Sequence, residues 1–369
     1  MTSLAHILTQ YGQQYLIQFQ HQMLPSHIKA IRDIITCRTP HLGGHKWLCK
    51  KCNKIHYSYH SCKNRHCPQC QNERATEWLE KQTRQLLPVT YFMATFTLPK
   101  ELRSITRSHQ KIIYDLFFKT SAHSLMKLAK DPRFIGGNIG MIGMLQTWTQ
   151  ILAYHPHIHY IIPGIALSEN NKSLRYPKND FLMHAEPLAI IFRAKLRDAL
   201  KQTSLFNQIP ASVWKKKWVV DIKAVGNGSS ALKYLAPYLF RGAISNNNIL
   251  SCHNGEVTFR YKDRETKIYQ TVTLPVMEFI RRFLQHTLPK GFQKIRYYGF
   301  LATQKKPQLQ KIFSLLNLKL PKKKEAKQKN FTFYCPTCKS EMELIKRSNR
   351  LRGPPIEKLL HLPTWRNIA

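Results

Sequence analysis

Acidic residues are scarce in this sequence. Only 20 Asp and Glu residues stand against 58 Lys and Arg residues, so the formal net charge at pH 7 is +38. Such an excess of positive charge attracts polyanions, which is atypical of a metabolic enzyme and favours nucleic acid as the natural partner. An anionic membrane surface is the second candidate, but no amphipathic helix accompanies the charge.

Long apolar runs are also missing. No segment approaches the roughly 18 to 20 apolar residues that a membrane-spanning helix needs, and residues 1–6 lack the basic region and apolar stretch of a signal peptide. We therefore expect a soluble, cytoplasmic protein. With 43% hydrophobic and 11% aromatic residues, the composition opposes disorder, and the 369 residues suffice for two or three domains.

The cysteines, in contrast, are plentiful and clustered. Nine are present, and most of them have a spacing that is typical of metal ligation in a reducing compartment. Cys49-x2-Cys52 and Cys67-x2-Cys70 each direct two sulfurs at one point, and two such turns complete the tetrahedron that zinc prefers. The spacing therefore predicts one zinc site formed by Cys49, Cys52, Cys67 and Cys70.

Four residues interleaved with these could close a second zinc site of two Cys and two His. They are Cys37, His45, Cys62 and His66. The alternative for this set is buried free cysteines together with surface histidines.

A further pair, Cys335 and Cys338, offers only two local ligands. His361 and Cys252 are the nearest residues that could complete a site there, although neither has a spacing that argues for it. The pair could belong to an occupied zinc site, or the segment could be a half zinc ribbon or a knuckle that has lost its metal.

Hydrophobic periodicity divides the chain into helices and strands. It predicts helices over 4–36, 72–87, 101–129, 186–202, 230–240 and 275–286, strands over 89–98, 139–148, 155–162 and 214–223, and a strand hairpin over 248–273. The predicted domains are a helical lead-in over 1–36, a zinc-binding module over 37–88, a core over 89–245, its extension over 246–320, and a basic connector with a Cys-x2-Cys segment over 321–369.

A His-x-His pair lies in one of the predicted strands. Residues two apart in a strand share a face and are separated by roughly 6.6 Å, so His157 and His159 can point at one divalent ion. His155 has the same parity, but Pro156 can interrupt the strand there, so we interpret His155 as a neighbour of the ion and not a ligand. The alternative is that the histidines are polar residues on a half-exposed strand.

Two tyrosines follow on a predicted helix. Tyr234 and Tyr238 are four residues apart and therefore share one helical face. A tyrosine hydroxyl is a poor nucleophile until a cation polarises its target or lowers its pKa, and Lys233, Arg241 or a histidine-bound metal could do so. The alternative is a pair of core tyrosines.

Together these motifs resemble the two-tyrosine rolling-circle transposases of the insertion-sequence ninety-one family, which are HUH endonucleases. The resemblance covers about residues 30–345 and is specific in order and spacing. Besides the motifs above it rests on Cys37-Arg38-Thr39-Pro40, Gly43-Gly44-His45, Ser61-Cys62-Lys63-Asn64-Arg65-His66-Cys67-Pro68, Phe96-Thr97-Leu98-Pro99, Arg241-Gly242-Ala243-Ile244-Ser245-Asn246, Leu288-Pro289-Lys290-Gly291-Phe292 and Arg296-Tyr297-Tyr298-Gly299.

The resemblance implies a fold of the α+β class. A central antiparallel sheet flanked by helices would form an HUH endonuclease core with the catalytic tyrosine helix over 89–245. An N-terminal zinc-binding module over 37–88 would recognise DNA or act as a structural staple, and a small zinc-ribbon-like segment would lie near the C-terminus. The expected location is the bacterial cytosol, in association with the nucleoid.

The resemblance also implies the roles of the site residues. His157 and His159 would be ligands of Mg²⁺ or Mn²⁺, and Tyr234 and Tyr238 would be the nucleophiles. For the third ligand, Gln146 is the first choice, because its strand could pair with the histidine strand, and Gln150 is the second. Relatives often have His at the first of these positions. Pro237 stands where the family tends towards a basic residue, and we expect it to kink the helix.

The implied reaction is nicking and rejoining of single-stranded DNA at the ends of a mobile element through a 5′-phosphotyrosine intermediate, as in rolling-circle transposition. Partners would be single-stranded and hairpin DNA at transposon ends. Because the sequence contains no G-x-x-x-x-G-K-[ST] loop, strand separation would depend on a host helicase or the replication machinery. The alternatives are a rolling-circle replication or mobilisation initiator and a non-catalytic, zinc-bearing DNA-binding protein.

Contacts to DNA are also expected from basic and aromatic residues elsewhere. Lysines at 215–217, 305–306 and 322–329 could follow phosphates. Stacking faces for unpaired bases could come from Trp148, Trp214, Tyr297 and Tyr298. Each basic run could equally be a solvated surface, and each aromatic residue could belong to a core.

Overall fold

A computed structural model of the chain describes residues 2–70, 72–232, 242–263, 265–320 and 332–349. Its helices are α1 (Leu4–Phe19), α2 (Pro25–Ile35), α3 (Asn72–Thr83), α4 (Arg103–Ser108), α5 (Gln110–Ala129), α6 (Ala185–Lys201), α7 (Val276–Leu284) and α8 (Lys306–Leu315). Its strands are β1 (Gly44–Leu48), β2 (Ile55–Tyr59), β3 (Thr90–Thr97), β4 (Asn138–Ile139), β5 (Met141–Trp148), β6 (Tyr154–Pro163), β7 (Ala166–Leu167), β8 (Leu174–Arg175), β9 (Val220–Asn227), β10 (Ile249–His253), β11 (Glu256–Lys262), β12 (Tyr269–Pro275), β13 (Ile295–Tyr298), β14 (Phe333–Tyr334) and β15 (Glu341–Ser348).

The chain forms two compact units, each built from separate stretches of sequence. The first, named the cysteine unit here, contains the described residues of 2–73, 242–287 and 332–349. The second, named the sheet unit, contains those of 74–232 and 288–320. The predicted extension over 246–320 is thus divided, because its first part belongs with the N-terminal segment and only its last part with the sheet.

The sheet unit is organised around an antiparallel sheet of five strands in the order β13-β5-β6-β3-β9. Strand β6 is central, and its even-numbered residues Ile158, Tyr160 and Ile162 are buried in one apolar core with residues of α5 and α6. Phe192 of α6 packs edge-on against Phe96 of β3, with ring centroids 5.1 Å apart. The helices therefore cover one face of the sheet, and the odd-numbered residues of β6 point to the other.

One position of this sheet requires glycine, because its backbone lies directly against a buried aromatic ring. Gly143 on β5 lies opposite Tyr160, and a Cβ atom at residue 143 would stand 2.5 Å from Cε1 of that fully buried ring. We expect Gly143→Ala to lower the free energy of unfolding by about 1–3 kcal/mol, the usual cost of overpacking a core. Denaturant unfolding of this variant beside the wild type measures the effect. Equal stability of Gly143→Ala and the wild type would contradict the steric argument.

The cysteine unit contains two antiparallel sheets. One has the order β14-β15-β1-β2 and the other the order β10-β11-β12. Helix α1 begins after Ser3, whose hydroxyl accepts a hydrogen bond from the N–H of His6 at 3.2 Å and so caps the helix. The buried residues Leu4, Ile7 and Leu8 give α1 the apolar face with which it packs against α2 and α7.

Most of the predicted elements are present, but the helix expected over 4–36 is divided into α1 and α2, and the helix expected over 101–129 into α4 and α5. The strand expected over 214–223 begins only at Val220, because Trp214 ends a short 3-10 turn and stacks on Trp218 with ring centroids 5.7 Å apart. The indole N–H of Trp218 donates to the carbonyl of Val213 at 3.0 Å, which holds this turn against the core. Within the described ranges, no helix has the length and apolar character needed to cross a membrane.

Candidate functional site

Eight cysteines come together in two groups of four. One group is Cys37, Cys62, Cys67 and Cys70, and the other is Cys49, Cys52, Cys335 and Cys338. In each group the four sulfur atoms lie within 4.8 Å of one another. A tetrahedron with Zn–S bonds of about 2.3 Å has S···S edges of about 3.8 Å, so both groups have the size of a zinc tetrathiolate site.

The second group is formed by two turns of the same shape. The Cys49-x2-Cys52 turn joins β1 to β2, and the Cys335-x2-Cys338 turn joins β14 to β15. In each turn the N–H of the first cysteine donates to the carbonyl five residues later, at 2.9 Å to Lys54 and 2.8 Å to Ser340. In both turns the residue after the second cysteine has a left-handed backbone conformation, with φ of 54° at Asn53 and 59° at Lys339. The segment predicted as half a zinc ribbon therefore meets its matching half.

The pairing of β1 with β15 brings these turns together. Sulfur distances between them are 3.4 Å from Cys49 to Cys338 and 3.6 Å from Cys52 to Cys335. Hydrogen bonds from backbone N–H groups, first that of Cys338, lower the pKa of Cys335, and the backbone and side chain of Ser340 lower that of Cys338 to about 6. Both thiols are thus shifted towards the thiolate form that binds zinc.

The grouping predicted from sequence is wrong. Cys49 and Cys52 do not share a site with Cys67 and Cys70, because the β1–β15 ladder places Cys335 and Cys338 beside the first pair. Cys67 and Cys70 instead meet Cys37 and Cys62, and Cys62 Sγ lies 3.6 Å from Cys70 Sγ. Because β1 and β15 are far apart in sequence, the local spacing of the cysteines gives no indication that these strands pair.

The other residues considered as zinc ligands are not part of either group. His45 lies on β1, where its ring packs edge-on against His60 at 5.0 Å, and His66 follows the Cys62 turn. Cys252 lies on β10. His361 is outside the described residues.

The histidine pair occupies the centre of the five-stranded sheet. His157 and His159 are buried on the same face of β6, their ring centroids are 4.8 Å apart, and the rings are nearly perpendicular. Strand β3 places Thr97 opposite His157 and Thr95 opposite His159, and Thr95 Oγ1 is 3.0 Å from Nδ1 of His159. Two imidazoles of one strand are therefore oriented by backbone and side-chain contacts of the same sheet.

Hydrogen bonding selects the tautomer of His157. Its Nδ1 lies 2.7 Å from the carbonyl oxygen of His155, and since a carbonyl only accepts, Nδ1 carries the hydrogen. The lone pair of the neutral ring then lies on Nε2, the arrangement usual for a metal-binding histidine whose other nitrogen is hydrogen bonded.

His155 has the opposite arrangement. Arg103 Nη2 donates to its Nδ1 at 2.7 Å, so the hydrogen of a neutral His155 ring lies on Nε2. In this tautomer Nε2 carries a hydrogen and offers no lone pair to a cation.

Gln146 lies on β5 directly opposite His157 and therefore on the same face of the sheet. Its amide nitrogen donates to the carbonyl of Trp148 at 3.2 Å, which leaves the amide oxygen as the atom able to bind a cation. Gln150 lies beyond the end of β5, in the turn before β6. Among the described residues, the two cysteine groups are the sets of three or more Cys, His, Asp or Glu close enough to share a metal, so a third ligand beside the histidines would be of another type.

Tyr234, Tyr238, Lys233, Arg241 and Pro237 are outside the described residues. The chain that leads to them is described up to residue 232. Strand β9 ends at Asn227, residues 228–232 are helical, and the side chain of Asn227 accepts a hydrogen bond from the N–H of Ser230 at 3.0 Å. A helix therefore begins directly after the edge strand of the sheet, with Asn227 as its cap.

The aromatic residues predicted to stack on bases lie in packed surroundings. Trp214 and Tyr298 pack against the main core, and Trp148 is buried with Lys294 over its ring at 4.7 Å. The hydroxyl of Tyr297 accepts a hydrogen bond from the indole of Trp78 at 2.8 Å. These side chains are therefore part of the fold.

The basic runs have mixed surroundings. Lys216 pairs with Glu101, and Lys217 lies 3.8 Å from Glu186. Lys305 and Lys306 are exposed, and 322–329 is outside the described residues.

Comparison with known proteins gives the class of protein. A family model described as "Transposase zinc-binding domain" matches residues 7–98, and one described as "Putative transposase" matches residues 140–308. The first range contains six of the eight grouped cysteines, and the second contains Gln146 and both histidines of the pair. The chain is a transposase with a zinc-binding domain, and hence a DNA-processing enzyme.

Two relatives that are described as transposases match this chain over most of their length. "Putative transposase y4qJ" of Sinorhizobium fredii (strain NBRC 101917 / NGR234) is 33% identical over 386 aligned residues, which cover 95% of this chain and 96% of that protein. "Transposase for insertion sequence element IS801" of Pseudomonas savastanoi pv. phaseolicola is 27% identical, with 80% and 75% covered. The chain belongs to the insertion-sequence ninety-one family of transposases. No solved structure matches it.

Proposed function

We propose that this transposase nicks and rejoins single-stranded DNA at the ends of its element by tyrosine transesterification. The main support is the buried pair His157 and His159 on the central strand, with Gln146 opposite. Tyr234 and Tyr238 follow in sequence shortly after the helical residues 228–232, which begin directly after β9, and β9 lies next to β3 in the same sheet. The nucleophiles and the metal ligands would thus come from neighbouring elements.

Mg²⁺ or Mn²⁺ would be held by Nε2 of His157, a ring nitrogen of His159 and the amide oxygen of Gln146. The fit rests on the tautomer that the His155 carbonyl imposes on His157 and on the amide nitrogen of Gln146 being directed to Trp148. When bound, such a cation would draw charge from a non-bridging oxygen of the scissile phosphate.

The bonds exchanged in the proposed reaction balance without water. The hydroxyl oxygen of Tyr234 or Tyr238 forms a bond to phosphorus while the bond from phosphorus to the 3′ oxygen breaks. The phenolic proton is lost as the leaving 3′ oxygen gains one, so the products are a 5′-phosphotyrosine and a 3′-hydroxyl. Because a phosphodiester is kept throughout, a new 3′ end can reverse the step and rejoin the strand, and two tyrosines allow two such exchanges in sequence. Lys233 and Arg241 would contact the phosphates.

We assign one zinc ion to each cysteine group. The proposed role of the cysteine unit is to bind the element ends as single-stranded or hairpin DNA, and the +38 charge of the chain supports an anionic ligand. Strand separation would be left to a host helicase or to replication, and the place of action would be the bacterial cytosol at the nucleoid.

The test is a covalent adduct. Purified protein incubated with labelled single-stranded DNA covering the element ends should give a denaturation-resistant adduct that requires Mn²⁺ or Mg²⁺. The double variant Tyr234→Phe/Tyr238→Phe should give none, because phenylalanine keeps the ring and removes the oxygen that attacks phosphorus. Each single variant then shows whether its tyrosine starts the reaction.

Three outcomes would count against the mechanism. An adduct that persists in the double variant would place the nucleophile elsewhere, and adduct formation in the presence of a chelator would remove the role of the metal. If the DNA ends bind and never form an adduct with any divalent metal, this chain acts as a zinc-bearing DNA-binding protein.

A further inference from the structure

We propose that one face of the β14-β15-β1-β2 sheet binds single-stranded DNA by stacking unpaired bases on Tyr57 and Tyr59. This surface is named the tyrosine face and consists of Tyr57, Tyr59, Lys46, Lys346 and Ile55. The inference deepens the proposed function and rests on it for the identity of the ligand as DNA.

Strand register decides which residues share this face. Directly opposed residues of antiparallel strands point to the same side, and β1 and β2 pair Lys46 with Tyr57 and Leu48 with Ile55. The next residue of β1, Trp47, points to the other side, where it is buried and stacks on Phe333 at 5.1 Å. The side with Trp47 therefore packs towards the cysteine group, and the tyrosine face is the opposite one.

The two tyrosines have the geometry of a stacking platform. Their rings are nearly parallel, with an interplanar angle of 10° and centroids 6.1 Å apart. Tyr57 is 56% exposed and Ile55, two residues before it on the same face of β2, is 47% exposed, so the two together present apolar area to a ligand. Strand β2 is also at the edge of its sheet, so a bound strand of DNA can approach from the side.

Cations are placed beside the rings. Register aligns Lys346 of β15, Lys46 of β1 and Tyr57 of β2 in one row across three strands. Glu343 is the acidic residue that register places opposite Leu48 on this side, and its carboxylate pairs with Lys50 at 2.8 Å. Aromatic faces next to lysines are the combination by which proteins bind unpaired strands, since bases stack and phosphates pair.

The chemistry distinguishes this ligand from a protein partner. An apolar docking face would not need a row of lysines, whereas a strand of DNA offers both bases for the rings and phosphates for the cations. A second copy of the chain pairing along the edge of β2 is the competing occupant, and it carries the same positive charge.

Fluorescence anisotropy of labelled oligothymidine of about 16 nucleotides tests the inference. The protein is the full chain with Tyr234→Phe/Tyr238→Phe, without divalent cations other than bound zinc, so that binding is measured without reaction. Adding Tyr57→Ala/Tyr59→Ala should weaken the affinity at least about tenfold, because stacking on each ring is lost. The pair Tyr57→Phe/Tyr59→Phe should retain affinity, since it keeps the ring faces.

A matched control comes from the other sheet of the same unit. Tyr269 on β12 is 58% exposed and has Arg260 over its ring at 5.1 Å, so Tyr269→Ala removes an exposed aromatic next to a cation and should leave affinity unchanged. Lys46→Ala/Lys346→Ala should instead reduce the slope of log affinity against log salt by about 1.4, for two phosphates on a single strand.

These experiments decide whether the tyrosine face binds DNA, and they do so independently of whether the protein forms the covalent adduct. Unchanged affinity of Tyr57→Ala/Tyr59→Ala overturns the inference, and so does a wild-type dimer in sedimentation that this variant dissociates. If the double alanine variant loses zinc, Tyr57→Ala alone at the more exposed ring decides. Adduct formation is measured separately in the wild-type chain, so its absence there would overturn the proposed function and leave the binding result standing.

Discussion

Replacing Cys335 and Cys338 by serine should leave the purified protein with one equivalent of tightly bound zinc where the wild type has two. These cysteines supply half the sulfurs of their group, and the remaining Cys49 and Cys52 cannot complete a tetrahedron. The group around Cys70 shares no ligand with them and should keep its zinc. Elemental analysis after dialysis against a weak chelator measures the stoichiometry.

The same variant should also weaken the attachment of strand β15 to the rest of its sheet. Cys52 and Cys335 are 283 residues apart in sequence, so a zinc ion joining them closes a very long loop, and structural zinc contributes folding free energy directly. Strand β14 has two residues, and the small cluster of Trp47, Phe333 and Met342 is packed against the same sulfurs. Backbone amides of β15 should therefore exchange hydrogen at least about tenfold faster, and mass spectrometry of peptides from 341–348 detects this.

Two controls frame this result. Cys252→Ser alters a cysteine of the same unit that belongs to neither group, so two zinc equivalents should remain. Cys62→Ser/Cys67→Ser should remove the other zinc. If Cys335→Ser/Cys338→Ser still binds two equivalents, the paired turns are not a zinc site, and loss of both would mean that the groups do not fold independently.

Local sequence was sufficient for the parts of the molecule that depend on near neighbours. The parity of His157 and His159 depends only on a strand of alternating faces, and strand β6 has that form. The Cys-x2-Cys turns depend on four residues and a left-handed residue after them, here Asn53 and Lys339.

Long-range register could not be predicted in the same way. The partner of the Cys49 turn is chosen by the β1–β15 ladder, whose members stand at opposite ends of the chain. Tyr57 and Tyr59 were missed for a related reason. Their alternation with His56 and Ser58 is visible in the sequence, but their exposure depends on which side of the sheet the cysteine group occupies. For Trp214 and Tyr298, the sequence did not distinguish exposed rings from rings packed against a core.

The second large effect is expected at the histidine pair. His157→Ala/His159→Ala should lower the rate of adduct formation by about 100-fold to 1,000-fold, because the loss of a Lewis acid removes several kcal/mol of transition-state stabilisation and about 1.4 kcal/mol corresponds to tenfold. Gln146→Ala removes one ligand and should show a smaller loss, together with a higher Mn²⁺ concentration for half-maximal rate. Single-turnover adduct formation across a Mn²⁺ titration measures both.

The Mn²⁺ titration separates loss of a ligand from loss of the fold. Both histidines are buried, so their removal leaves space in the central strand and lowers stability whatever their role. If these residues were only structural, added Mn²⁺ would not restore the reduced rate of Gln146→Ala. His155→Ala would then lower the rate of adduct formation as much as the histidine pair variant does, because the ring of His155 packs 5.2 Å from that of His157. A ligand role predicts that His155→Ala keeps its Mn²⁺ requirement, because its Nδ1 already accepts from Arg103. Equal Mn²⁺ dependence of the wild type and Gln146→Ala would remove Gln146 from the site and leave the two histidines with a ligand from the DNA or from water.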